Sequence, residues 1–287
     1  MGVQGPAGTS SAAPAAKTIV PGSHERRAVE SGGRQRDYVL YVPAAARADR
    51  RARPLLLVLH GAGMTAAQME SLTRFDAQAD AEGFIVVYPE GVGRTWNAGF
   101  CCGDAQEEEV DDLGFLAQLV QTVGAERAVD RDRVYVAGFS NGGYMAYRAA
   151  CERPDTLAAV ASVAGTLPDF FDCRPSRALG VLEIHGTADA VVPYEGRCRP
   201  ERCVPSSERV VEEWSERDGC RDAPRVRIRG RVTSTRWASC RSGSAVGLYV
   251  IAGGTHTWPG RGEGPDAALD ATAAVWSFFA GQRRRAV

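Results

Sequence analysis

A chain of 287 residues with 44% hydrophobic and 24% charged residues has the make-up of a globular protein able to bury one sizeable core. Its net charge of −1 supplies no field that would gather nucleic acid or an anionic membrane, so neither is expected as a partner. Lys17 is the only lysine, which excludes Schiff-base and P-loop chemistry from the folded region, and no apolar run approaches the ~20 residues that span a bilayer.

Residues 1–22 are dominated by Gly, Ala, Pro and Ser and lack the charged start and apolar stretch of a signal peptide. They are expected as a disordered leader or added tail. The stretch "RDYVLYVP" then alternates polar and apolar residues, as a half-buried antiparallel strand does. "PLLLVLHG", "GFIVVYPEG", "RVYVAGFS", "LAAVASVAG", "ALGVLEIHG" and "VGLYVIAGG" are short apolar runs, each ending in glycine or a polar turn. Such runs suit strands covered on both faces of a parallel sheet. Between them lie helix-length segments, "TAAQMESLTRFDAQADAEG", "VDDLGFLAQLVQTVGA" and "NGGYMAYRAACERPD", with "PDAALDATAAVWSFFAG" last. The alternation predicts an α/β fold, a three-layer sandwich around a mostly parallel sheet, forming a single domain over residues 23–282. Residues from about 196 to 244 are richer in Arg, Ser and Cys and break the alternation. They read as an insertion held by disulfides.

Eight cysteines, none in a CxxC pair, point to an oxidising compartment, and four dispersed histidines give no zinc site, so no metal and no cofactor are expected. Gly138-Phe139-Ser140-Asn141-Gly142 is a GxSxG between an apolar strand and a helical segment. A turn that sharp strains the serine and needs glycine on either side, which marks Ser140 as a nucleophile. A serine nucleophile needs a base and a group to orient it, in the chain order Ser, acid, His. After Ser140 only His185 and His256 remain. His185 ends a strand directly before "GTADAVVPY", where Asp189 suits the acid; His185 then reads as a packed or loop-bonding residue, and His256 in "IAGGTHTWPG" becomes the base. Asp169, Asp172 and Asp218 are the other acids in range, but none follows a convincing strand. The oxyanion of an acyl-transfer intermediate needs preset N–H donors. Asn141, at the start of the helix, supplies one, and Ala62 in "LHGAGM" the other, with Gly63 next to it.

At this point "YVLYVP", "LLLVLHGAG", "VVYPEG", "WNAGFCCG", "VDDLGF", "GFSNGGYMAY", "HGTADAVVPYEG" and "GGTHTWPG" resemble the poly(3-hydroxybutyrate) depolymerase and feruloyl esterase family, from about Arg36 to about Gly281. These are secreted α/β-hydrolase esterases, related to carbohydrate esterases that cut feruloyl and acetyl groups from xylan. The resemblance implies Ser140, Asp189 and His256 as the triad, an extracellular enzyme, and a "WN.G.CCG" loop near the mouth of the site, with Asp111 or Asp112 opening the next helix. On loops expected around that site, Trp96, Tyr194 and Trp258 are expected to bind substrate. Within this setting a vicinal Cys101–Cys102 bridge is expected to stiffen the loop, alongside Cys151–Cys173, Cys198–Cys203 and Cys220–Cys240. Eight cysteines allow on the order of a hundred connectivities, and a cross-pairing such as Cys102 with Cys151 stays open. The substrate expected is an ester: a feruloyl or aromatic ester of plant polysaccharide, or a hydroxyalkanoate or related polyester oligomer. An acetylxylan-type deacetylase and, behind it, a serine peptidase on the same fold are the alternatives. With no linker or substrate-binding domain in this sequence, soluble oligomers or accessible ester side groups are expected rather than crystalline polymer.

Overall fold

The computed structural model describes residues 21–200 and 202–285, so the leader expected over 1–22 lies outside the described residues apart from Pro21 and Gly22. The described chain begins with a hairpin, β1 (Ser23–Ser31) and β2 (Arg34–Val42), followed by a short α1 (Ala44–Ala48) and β3 (Arg53–Leu59). Helices α2 (Ala66–Thr73) and α3 (Phe75–Glu82) lead to β4 (Ile85–Pro89); α4 (Gly103–Glu107) and α5 (Asp112–Glu126) lead to β5 (Val129–Phe139). Helix α6 (Asn141–Glu152) precedes β6 (Ala159–Val163) and β7 (Gly180–Gly186). After a small hairpin of β8 (Arg197–Arg199) and β9 (Arg202–Val204) come α7 (Ser207–Arg217), β10 (Arg225–Arg229), β11 (Val232–Trp237), β12 (Val246–Ile251) and α8 (Ala271–Ala280).

Ten strands form one sheet in the order β1-β2-β4-β3-β5-β6-β7-β12-β11-β10. The inner six, β4 to β12, run parallel, and antiparallel hairpins close both edges. The run "PLLLVL" shows how sequence builds the layers, because successive side chains on a strand point to opposite faces. Leu55, Leu57 and Leu59 pack with Leu116 of α5, Met145 of α6 and Trp214 of α7 on one face. Leu56 and Val58 pack with Met69 of α2, Phe75 of α3 and Phe279 of α8 on the other. All five are fully buried, so this strand has no solvent face and no alternation to show.

Local chemistry sets the helix ends. Thr65 caps α2 in a reciprocal capping box with Gln68. The single helix read from "TAAQMESLTRFDAQADAEG" is two, because Arg74 takes a left-handed φ of 53° and turns Phe75 into the core against Trp258. Asp111 caps α5 by accepting from Gly114 N–H at 2.8 Å. Its neighbour Asp112 is fully buried and receives Arg36 at 2.7 Å and the Asn97 N–H at 2.8 Å. Within residues 196–244, β10 and β11 extend the main sheet from β12, and α7 covers it. Four disulfides join Cys101–Cys102 (across a cis peptide bond), Cys151–Cys173, Cys198–Cys203 and Cys220–Cys240. They fasten, in turn, the loop before α4, the end of α6 to the chain before β7, the β8–β9 hairpin, and the end of α7 to the segment after β11.

Candidate active site

The C-terminal ends of β5, β7 and β12 lie on the same rim of the sheet, where open α/β sheets place their ligands. Ser140 follows β5 directly with φ 53° and ψ −117°, a conformation that costs a non-glycine residue free energy. It is held by its own N–H, which bonds Val163 O at 2.8 Å. Glycine on either side makes the turn feasible: a Cβ on Gly138 would lie 2.0 Å from Gly142 O, and one on Gly142 would lie 2.4 Å from Leu59 O. Asp189 sits in the turn leaving β7, and His256 in the loop leaving β12. That loop is fixed to the acid's turn by Ala188 N–H bonding Gly254 O at 2.8 Å.

Sequence-distant side chains meet here. His256 Nε2 lies 3.0 Å from Ser140 Oγ, and His256 Nδ1 lies 2.8 Å from Asp189 Oδ2. The other carboxylate oxygen of Asp189 accepts the Val191 and Val192 N–H groups, each at 2.8 Å. Burial works against the Asp189 charge, yet the bonds from His185, His256 and these two amides hold its pKa down to about 2. Asp189 is therefore an acceptor at any working pH.

His185 lies directly behind it. Its Nε2 is 2.8 Å from Val192 O and 3.4 Å from Asp189 Oδ2; its Nδ1 is 2.9 Å from Glu183 Oε1 and 3.0 Å from Ser207 Oγ. Both ring nitrogens face oxygen acceptors, the arrangement of an imidazolium. Burial opposes that charge, but Asp189 and Glu183 raise the His185 pKa to about 10. Glu183, whose own pKa burial raises, is tied in turn to Tyr147 Oη of α6 at 2.9 Å. Ser207, His185 and Asp189 thus form a second Ser–His–acid grouping. It is closed to any substrate: Ser207 is 3% exposed and His185 1%.

The two sequence-predicted N–H donors are positioned by a network that sequence reading did not anticipate. His60 is fully buried, accepts Gly91 N–H at Nε2 (3.0 Å) and so carries its proton on Nδ1, 2.9 Å from Gly61 O. Burial depresses its pKa and keeps it neutral. Met64 N–H also bonds Gly61 O. In a trans peptide the C=O and N–H point opposite ways, so anchoring Gly61 O aims the Ala62 N–H away from those anchors. Gly63 N–H is taken by Arg94 O at 2.9 Å, whereas Ala62 N–H has no hydrogen-bond partner among the described residues. Asn141 stands at the first turn of α6, where backbone N–H groups lack helical acceptors. Its side chain accepts Trp96 N–H at 2.7 Å and donates to Trp96 O at 3.0 Å.

The rings expected to bind substrate are a correction. Trp96 is fully buried; its indole N–H bonds His60 O at 3.0 Å and its ring packs 4.9 Å from His60. Trp258 is 3% exposed, bonded to Thr272 Oγ1 and packed on Phe75. Tyr194 is 6% exposed and donates to Glu208 at 2.6 Å. Each has a large apolar ring and an internal partner for its polar atom, the combination that stabilises full burial. An aromatic surface lies elsewhere: Phe100, one residue before the paired cysteines, packs 5.3 Å from Tyr144, 5.7 Å from Phe171 and 6.2 Å from Phe170. Tyr144 is one helical turn beyond Ser140. Burial raises its pKa to about 12, with the charges of Asp189 and Glu183 adding to the shift.

Residues 36–192 match the family model "Esterase PHB depolymerase". The chain is similar to "Putative esterase NocK" of Nocardia uniformis subsp. tsuyamanensis, 37% identical over 82% of this chain and 74% of that protein. It is also similar to "Feruloyl esterase B" of Piromyces equi, 32% identical over 77% of this chain but only 42% of that protein's length. Among solved structures, the acetyl xylan esterase from Aspergillus awamori superposes with a TM-score of 0.64 at 16% identity, over 91% of this chain and all of that one. A CE1 ferulic acid esterase from Anaeromyces mucronatus superposes with 0.56 at 14% identity, over 92% of each. At these identities the superpositions show the fold, an α/β hydrolase.

Proposed function

We propose, for a chain that belongs to the esterase PHB depolymerase family and is a carboxylic ester hydrolase, that Ser140, His256 and Asp189 form its catalytic triad and that aromatic acyl esters are its substrates. The observation that carries the triad is the chain of contacts Ser140–His256–Asp189 at 3.0 and 2.8 Å on the open rim, while the Ser207 grouping is sealed. His256 removes the Ser140 proton as Oγ attacks the ester carbonyl, and the Asn141 and Ala62 N–H groups receive the oxyanion. His256 then protonates the departing alcohol, giving an acyl-serine. A water deprotonated by the same imidazole releases the acid and restores the serine hydroxyl. Asp189 holds the tautomer that keeps His256 Nε2 free to accept.

The aromatic group of Phe100, Tyr144, Phe170 and Phe171 supports a flat acyl unit, feruloyl above all, since stacked or edge-on rings contribute about 0.5–1.5 kcal/mol beyond area burial. Hydroxyalkanoate oligomers and acetylated xylan remain the competing substrates within the same mechanism. Four disulfides belong to an oxidising compartment, and among the described residues no helix is long and apolar enough to cross a membrane. The disulfides support an extracellular site of action as part of the same proposal. The test compares ferulate release from methyl ferulate with 3-hydroxybutyrate release from its oligomers, for the parent protein, Ser140→Ala and Ser207→Ala. Turnover abolished by Ser140→Ala and retained by Ser207→Ala is expected, with ferulate released faster. Activity surviving in Ser140→Ala overturns the triad; faster hydroxybutyrate release overturns the aromatic preference alone.

A further inference from the structure

The outer edge of the sheet, beyond β11, carries an arrangement that catalysis does not use. Alternate residues of β10 put Arg225, Arg227 and Arg229 on one face, about 14 Å from first to last at ~3.4 Å per residue. The antiparallel register sets Arg236 directly opposite Arg225, and Arg231 occupies the turn between the strands. All five are exposed, and none of them has a carboxylate within ion-pairing distance among the described residues. Like charges directly opposed on a sheet are destabilising. Arginines elsewhere show the ordinary solution, as in Arg209 with Glu213 or Arg148 with Glu152.

On this face a cleft of about 290 Å³ lies between Arg225, Arg227 and Arg236 on one side and Tyr249, Ser277 and Phe278 on the other. The Arg236 guanidinium stands 5.6 Å from the Phe278 ring centre. Guanidinium forks over an aromatic floor match a ring that is apolar on its CH face and carries a carboxylate at its edge. The ribbon also reaches the catalytic rim. Arg231 O accepts Ala252 N–H at 2.9 Å, four residues before His256.

We infer that the β10–β11 ribbon is a docking strip for an acidic polysaccharide, a chain bearing uronate carboxylates, and that it holds such a polymer beside the rim where its ester groups are cut. The occupant is a saccharide rather than a nucleic acid because the cleft is a recess of about 290 Å³ that admits a single ring, and because arginines about 7 Å apart along β10 match one carboxylate per sugar better than duplex DNA, which carries a charge about every 1.7 Å. The inference rests on the esterase reading only for what the docked polymer would undergo; the docking itself stands on the ribbon.

The experiment uses ester-free polygalacturonate, neutral xylan and duplex DNA as probes in affinity electrophoresis, with the full chain and the variant Arg225→Glu/Arg227→Glu/Arg236→Glu. These positions are exposed, so the variant is expected to fold, and unchanged turnover of a small soluble ester checks that it does. Polygalacturonate is expected to retard the parent protein while xylan does not. The variant replaces three positive charges by three negative ones facing the carboxylates and is expected to lose at least about tenfold in affinity, about 1.4 kcal/mol. Equal retardation of parent and variant overturns the strip, and so does DNA binding as tight as polygalacturonate binding. Because the probe has no ester, a failed strip leaves the triad standing. A failed triad, read from Ser140→Ala on the small ester, leaves the strip standing.

Discussion

Replacing Asn141 by alanine separates two roles that this residue combines. Its backbone N–H stays in place for the oxyanion, while the side chain that grips both polar groups of Trp96 is removed. Asn141 is 1% exposed and Trp96 fully buried, so water does not take over either bond. Leaving a buried donor or acceptor unpaired costs about 1–3 kcal/mol, so the pair together costs roughly 2–6 kcal/mol. For a chain of this size about 1 kcal/mol lowers Tm by roughly 2–4 °C, which predicts a fall of about 4–24 °C by scanning calorimetry. Activity should fall too, by a route that passes through structure. Trp96 N–H of the indole fixes His60 O, and His60 fixes the peptide that carries Ala62 N–H. Loosening that chain blurs one of the two donors, so kcat for methyl ferulate is expected to drop about tenfold or more, short of the 10²–10³ lost when a donor is removed outright. KM should change little. A Tm within about a degree of the parent would refute the clamp. A large kcat loss without any Tm change would assign the side chain to the chemistry itself.

Stability against pH follows from three buried groups. Asp189, depressed to about 2, contributes stability present above ~4 and lost as pH falls toward 2. His185, raised to about 10, contributes stability fully present below ~6.5 and lost as pH rises through 10; Asp218, raised by burial to about 7, acts with the same sign between ~4 and 7. Urea midpoints should therefore peak in mild acid and decline steadily into alkali, with His185→Gln flattening the decline above neutrality; midpoints that climb from pH 7 to 9 would refute the buried imidazolium. For the disulfides, Cys151–Cys173 spans 22 residues and its removal should cost about 3 kcal/mol by chain entropy, whereas Cys101–Cys102 closes no intervening chain and its removal should cost far less. Denaturant curves of Cys151→Ala/Cys173→Ala and Cys101→Ser/Cys102→Ser should rank in that order, and equal losses would contradict the entropic account.

Much of this site could be read from order along the chain, because a parallel sheet turns order into place. A residue just past the end of an apolar run must emerge at the same rim as residues past the other runs, and that brought Ser140, Asp189 and His256 together in the sequence reading. What emerges there but points inward was not readable. Trp96, Tyr194 and Trp258 lie on rim loops, yet their size and polar tips make them supports under the rim, while the phenylalanines flanking the paired cysteines and following β6 form the aromatic surface. The paired cysteines therefore adjoin that surface through Phe100, and the acidic run after them contributes a cap at Asp111 and, at Asp112, a buried anchor for Arg36. The edges were also opaque. β1 and β10 are rich in charge and half or fully exposed, β11 is mostly polar and half-buried, and none of the three carries a continuous apolar signal.

The separation of His185 from His256 shows where such reading stops. Both follow the nucleophile, both end or follow a strand, and both lie within reach of the one carboxylate at Asp189. What distinguishes them is the second neighbour of each ring. His256 has a hydroxyl that opens to solvent at the rim; His185 has Glu183, two positions earlier on the same strand face, and therefore stays charged. The alternation of β7 contains that pair, since Glu183 and His185 must point the same way. An acid two residues before a strand-end histidine, inside a run otherwise apolar, is a signal for a buried ion pair. A histidine held protonated between two buried acids has no lone pair left to accept a proton, whereas His256 meets Asp189 through Nδ1 alone and turns Nε2 to Ser140, so the reading of His256 as the base rests on the chemistry of β7 as much as on chain order.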